Sequence, residues 1–123
     1  MPASPATSSL EIRVHRKDDH VTHLALVGRL DVLGVQQVEL PFTAHTVSRR
    51  KPAVIDLAEV TYLSSLGVRL LLSSARALAA HGVKLILVSP QPQVLQVLQL
   101  GQIVAIIPVE TDVAAAFALL GLK

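Results

Sequence analysis

Residues 10–15 read Leu-Glu-Ile-Arg-Val-His, apolar at every second position, the pattern of a strand buried on one face. Asp18 and Asp19 mark a turn. Residues 21–30 supply a second strand, with Val21, Leu24, Leu26 and Leu30 among its apolar positions, so the chain opens on a hairpin. Asp31 stands where a helix cap is wanted. A helix running from it toward Arg49 has Val35, Val38 and Phe42 for an apolar face. Pro41 inside that segment predicts a kink or a split, because proline removes an N–H and clashes one turn back.

Residues 53–57, Ala-Val-Ile-Asp-Leu, read as a short buried strand that exits into a loop. Over residues 66–80 the 3.6-residue period places Val68, Leu71, Leu72, Ala75, Leu78 and Ala79 on one stripe, with Arg69, Ser73 and Arg76 on the other side. Gly82 stops this helix. Residues 83–88 are nearly all apolar, as expected of a central strand covered on both faces. Ser89 is the expected cap of a short helix that accepts Pro92 in its first turn and ends at Gly101. Residues 103–107 read as another strand, and Thr111 as the cap of a last helix through Ala114, Phe117, Ala118 and Leu119. The order ββαβαβαβα predicts an α/β fold: a mixed, mostly parallel sheet of about five strands, packed with about four helices through right-handed crossovers.

Composition narrows the function classes. The 123 residues make one domain, read as residues 10–123 behind a flexible tail over 1–9. At 51% hydrophobic and 16% charged, the bulk of the chain cannot be disordered. Phe42, Phe117 and Tyr62 are its only aromatics, so the core is aliphatic and there is no stacking platform for single-stranded nucleic acid. No cysteine is present, which removes disulfides, zinc–thiolate sites and thiol chemistry and fits a cytoplasmic protein. The net charge is +2, and the one dense basic run, Arg49-Arg50-Lys51, reads as a solvated turn, so no direct nucleic-acid partner is expected. Nor is membrane insertion expected. The longest charge-free stretch, residues 85–109, is broken by Ser89, Pro90, Pro92, five glutamines and Gly101. Residues 1–9 lack the basic and apolar regions of a secretory signal.

The chemistry-bearing residues point away from an enzyme. None of the carboxylates forms a spaced pair with a histidine on a well-defined element, and no phosphate-cradling glycine loop occurs. His20 and His23 straddle the first turn and read as an exposed pair rather than metal ligands. No catalytic residue, metal site or cofactor is expected. The informative stretch is residues 54–69, where a buried strand leads to Ser64 and Ser65 at the start of the strongest helix. One hydroxyl there serves as an N-cap. The other use is phosphorylation, because a helix N-terminus offers free N–H groups and a positive dipole end to an added dianion. Arg69, one turn beyond Ser65, is placed to pair with it.

From about Leu10 to Leu120 the chain resembles a STAS domain of the anti-sigma factor antagonist family. The resemblance rests on Val54-Ile55-Asp56-Leu57, on Ser64-Ser65-Leu66-Gly67-Val68-Arg69, on Gly28-Arg29-Leu30-Asp31, and on Leu85-Ile86-Leu87-Val88-Ser89-Pro90, in that family's spacing. It implies the STAS fold. Ser65 matches the family's phosphorylated serine and Gly67 its glycine. Ser64 stands where the family has Asp, and Leu66 where it has a smaller residue. Asp31 matches a position near the partner-binding surface, which the resemblance extends over Ser64, Leu66, Gly67, Val68 and Arg69. The implied mechanism is partner switching. The unmodified antagonist binds an anti-sigma factor with kinase activity and displaces its client; phosphorylation ends the complex, and a serine phosphatase restores it.

Two other readings compete. One is a constitutive STAS interaction module of a transporter or signalling assembly, with Ser65 only a helix cap. The other is a small-ligand or nucleotide-binding module, which the missing phosphate loop argues against. Val68 and Leu70 are expected to extend past the buried stripe as docking surface. Lys84, Glu110, Asp112 and Lys123 are the only charges beyond Val83, which points to burial of the strands there. The edge over residues 10–15 is open to pairing with a second chain, so a homodimer is a further expectation.

Overall fold

The computed structural model describes residues 10–122, so the tail expected over 1–9 lies outside the described residues. The elements are β1 (Leu10–Lys17), β2 (Thr22–Leu30), α1 (Val32–His45), β3 (Ala53–Leu63), α2 (Ser65–Ala79), β4 (Leu85–Val88), α3 (Pro92–Leu100), β5 (Val109–Glu110) and α4 (Val113–Leu119). Short 3₁₀ turns occupy Val47–Arg49 and Ile103–Ala105. The sheet order is β1-β2-β3-β4-β5, with β1 antiparallel to β2 and every other neighbouring pair parallel.

The strand pleat sorts the core into two layers. Leu24, Leu26, Ile55, Leu57, Leu85 and Leu87 point to one face, where α1 brings Phe42, α2 brings Leu71 and Leu78, and α3 brings Leu98. Val54, Ile86 and Val88 point to the other face, where α4 covers them with Ala116 and Phe117. All four residues of β4 are buried, as expected for a strand covered on both sides. No helix among the described residues is long and apolar enough to cross a membrane.

Several expectations give way to the structure. α1 runs through Pro41 without splitting; the proline lies on the exposed side. The strand read as ending at Leu57 continues to Leu63. Residues 103–107 form a 3₁₀ turn and its exit instead of a strand, and the edge strand is Val109–Glu110. Ser89 does not cap α3. It sits at φ 56° and donates its hydroxyl to the Thr111 carbonyl, while Gln91 takes the cap position. Asp112, not Thr111, caps α4 by accepting from Ala115 N–H at 2.8 Å. Leu70 is only 6% exposed and belongs to the core, so it offers no docking surface. Ala79 is exposed rather than part of the stripe.

The end of the molecule where β2, β3 and β4 begin is held by polar clamps. Arg49 is half-buried instead of solvated: its guanidinium donates to the Thr22 hydroxyl and to the Val21 and Asp18 carbonyls. Asp18 organises the hairpin turn, accepting from Arg16 at 2.6 Å and from the N–H groups of His20 and Val21 at 2.8 and 3.0 Å. The Arg16 hydrogen bond, with those N–H groups, lowers the Asp18 pKa to about 2. A carboxylate with a depressed folded-state pKa stabilises the fold above its unfolded value and stops doing so as pH falls through the folded value. Stability is therefore expected to decline as pH drops from about 4 toward 2. In urea titrations across that range, Asp18→Asn should flatten the decline and be less stable than wild type at pH 7.

Candidate functional site

Two strand ends meet to build the site. The register of β2 with β3 slips twice, between Ala25 and Val27 and between Gly28 and Arg29, and each slip takes one extra residue on β3. The two strands nevertheless finish level, Leu30 beside Leu63. Asp31 and Ser64 therefore leave the sheet side by side, each as the cap of a helix. The Leu30 carbonyl accepts from both the Ser64 N–H at 2.9 Å and the Ser64 hydroxyl at 2.7 Å.

The two serines divide the available work. Ser64 Oγ accepts from the Gly67 N–H at 3.2 Å, so Ser64 is the N-cap of α2. Ser65 is the first residue of the helix; it is exposed, and its hydroxyl has no hydrogen-bond partner among the described residues. It sits at the positive end of a 15-residue helix whose first N–H groups have no intrahelical acceptor. Ser64→Ala should cost about 1–2 kcal/mol in a urea titration, since it removes a cap and a bond to Leu30, whereas Ser65→Ala should stay within about 0.5 kcal/mol. Equal losses at the two positions would contradict this division.

The other sequence-derived site residues fall into distinct places. Asp31 caps α1, with Oδ1 accepting from Gly34 N–H at 2.8 Å and Oδ2 from Arg29 Nε at 3.2 Å. The Gly34 hydrogen bond, aided by Arg29, holds its carboxyl below the usual range. Gly67 is buried and presents no surface of its own. A Cβ there would stand 2.8 Å from Leu63 Cδ1 and 2.9 Å from the Leu30 carbonyl, so the glycine is what lets α2 approach the end of β2. Leu66 and Val68 are half-buried against the core. Arg69 is exposed one turn after Ser65, on the same side of the helix, and makes no ion pair among the described residues.

The sequence reading did not single out the rim around these residues. Arg29 lies beside Tyr62 in the register, and its guanidinium stacks 4.5 Å from the ring centroid. Tyr62 (43% exposed), Val32 (52%) and Leu33 (41%) present apolar surface at the ends of β3 and β2. The detectable clue is the motif Gly28-Arg29-Leu30-Asp31, which places an arginine at the end of the second strand. A depression of about 400 Å³ lies elsewhere, lined by Ser89, Leu95, Val104 and Glu110 among others. Its lining includes a carboxylate and no cation, a poor match for nucleotide phosphates.

A five-strand mixed sheet, the paired helix caps and a spare serine at the head of α2 define a class of domain. The chain belongs to the STAS domain family, whose model matches residues 11–116. Among its relatives is BtrV of Bordetella bronchiseptica, named as an anti-sigma factor antagonist; it is 28% identical over 102 residues, covering 83% of this chain and 88% of BtrV. The fold is also that of an anti-sigma factor antagonist from Mycobacterium paratuberculosis, with a TM-score of 0.82 at 22% identity over 97% of this chain and 98% of the other. The anti-sigma factor antagonist SpoIIAA in its unphosphorylated form superposes with a TM-score of 0.73 at 20% identity, covering 92% and 99% of the two chains. SpoIIAA from Bacillus has also been solved in a phosphorylated form, which matches with a TM-score of 0.66 over 89% of this chain and 99% of the other.

Proposed function

We propose that this protein is an anti-sigma factor antagonist that works as a partner switch, with Ser65 as its phosphorylation site. The observation that carries this reading is the division of labour at the head of α2. Ser64 does the capping, so the Ser65 hydroxyl is exposed and spare. A phosphate there meets a positive helix end and Arg69 one turn on, and the cap beside it is a neutral hydroxyl instead of a carboxylate. Relatives named as anti-sigma factor antagonists support the role.

In this reading the unmodified protein docks the rim of Tyr62, Val32, Leu33, Leu66, Val68 and Arg69 on an anti-sigma factor with serine kinase activity, and so frees that factor's client. Phosphate transfer to Ser65 adds about 1.5–2 negative charges to a contact that must exclude water, and the complex separates. A serine phosphatase resets the cycle. Asp31 acts from beneath the rim, by fixing the start of α1. The protein contributes a substrate hydroxyl and a docking surface, and the catalysis belongs to the partner.

A second reading, a constitutive interaction module, is favoured by one feature, the replacement of the family's Asp by Ser64. Mixing the purified protein with the candidate kinase-fold anti-sigma factor of the same genome separates the two. A complex that forms without ATP and dissolves when ATP is added supports the switch. A complex indifferent to ATP supports the constitutive module.

A further inference from the structure

The two free edges of the sheet are unlike. β5 is two residues long, whereas β1 runs for eight and, among the described residues, its outer side is covered by no other strand. Within β1 the pairing is regular from Leu10 to Val14, and the extra residue His15 then breaks it with a bulge. The regular edge is thus centred on Ile12. Charged side chains ordinarily blunt such an edge. Here they alternate in sign: Glu11 and Arg13 stand on one face, 2.9 Å apart, with Glu59 of β3 at 3.8 Å from Arg13. Leu10, Ile12 and Val14 occupy the other face, and Val14 is 46% exposed although it is apolar.

We propose that two copies of this chain pair antiparallel across β1 with Ile12 on the two-fold axis, joining their five-stranded sheets into one. Symmetry and charge select that register. A two-fold axis perpendicular to the sheet keeps each residue on its own face, so a residue, not a gap between residues, must sit on the axis. Glu11 on the axis sets carboxylate against carboxylate, and Arg13 on the axis sets guanidinium against guanidinium, both unfavourable for directly opposed residues. Ile12 on the axis sets Glu11 against the other copy's Arg13, twice, and Leu10 against the other copy's Val14, twice. The edge is self-complementary in that register alone among these three. The seam lies two strands away from β3 and the helix it feeds, so Ser65 remains open on both copies.

Sedimentation equilibrium over a dilution series tests the pairing. The wild-type protein is expected to be a dimer that dissociates on dilution. Glu11→Arg and Arg13→Glu should each weaken it by about tenfold or more, because each makes the opposed pairs like-charged. An equimolar mixture of the two variants should then form a heterodimer of near wild-type strength, since opposite charges face each other again. Circular dichroism of each variant confirms that it is folded before association is compared. A wild-type protein that stays monomeric throughout, a dimer indifferent to both substitutions, or a mixture that fails to associate overturns the proposal.

Discussion

Gly34→Ala is expected to cost about 3 kcal/mol or more of folding stability. A Cβ at Gly34 would run into the Arg29 carbonyl oxygen and lie 3.3 Å from Asp31 Oδ1. The obstacle is backbone, and it cannot move aside as the end of a side chain could. Helix propensity acts the other way, favouring alanine by about 1 kcal/mol at a helical position, so the clash must exceed that gain. Gly67→Ala should cost less, about 2 kcal/mol, because its nearest neighbour is the Leu63 side chain, although the Leu30 carbonyl stands at 2.9 Å. Both glycines let a helix start against the end of β2. The shift in urea midpoint should therefore be large for both and larger for Gly34, and a stabilisation by either alanine would contradict the close approach of α1 and α2 to that strand end.

Ser65→Asp should weaken binding to the anti-sigma factor by about a hundredfold, whereas Ser65→Ala should bind within a few-fold of wild type. A charge placed in a contact that excludes water costs a few kcal/mol, and each 1.4 kcal/mol is about a factor of ten. The same Asp at the head of α2 should leave folding stability unchanged or raise it by about 0.3–1 kcal/mol, because it complements the helix dipole. Binding is thus expected to fall while stability holds or rises. Isothermal titration with the partner, set beside urea titration of the free variants, reads both. Loss of binding accompanied by equal loss of stability would assign the effect to misfolding instead of to charge at the contact.

How far the sequence reveals this molecule depends on whether its periods survive folding. β4 is legible because Leu85-Ile86-Leu87-Val88 is buried on both sides and needs no alternation. α2 is legible because its register is unbroken, although Leu70 and Ser74 are buried while Val68 and Leu72, which the period places on the stripe, are only half-buried. The second half of β3 is not legible. Its two bulges space the buried residues Leu57, Val60 and Leu63 three apart, which erases the period of two by which a strand is recognised. The apolar run 103–107 misleads for the opposite reason: Ile103 and Ile107 are buried four residues apart while Val104 and Ile106 face water, a turn-like spacing inside strand-like composition. The caps of α3 and α4 lie two and one residues beyond Ser89 and Thr111, because several capping residues compete there. At the site, the serine pair and Asp31 could be read directly. The assignment of the cap to Ser64 required the Leu30 carbonyl to be in place, and the Arg29–Tyr62 pair required the register of β2 on β3.

The most direct test of the proposed switch is the intact mass of the protein after incubation with the candidate kinase-fold anti-sigma factor of the same genome and ATP. Wild type should gain the mass of one phosphate, and Ser65→Ala should gain none while remaining folded. A stable complex of the two proteins in which wild type takes up no phosphate, or a phosphate that persists in Ser65→Ala, would contradict the assignment of Ser65 as the switch.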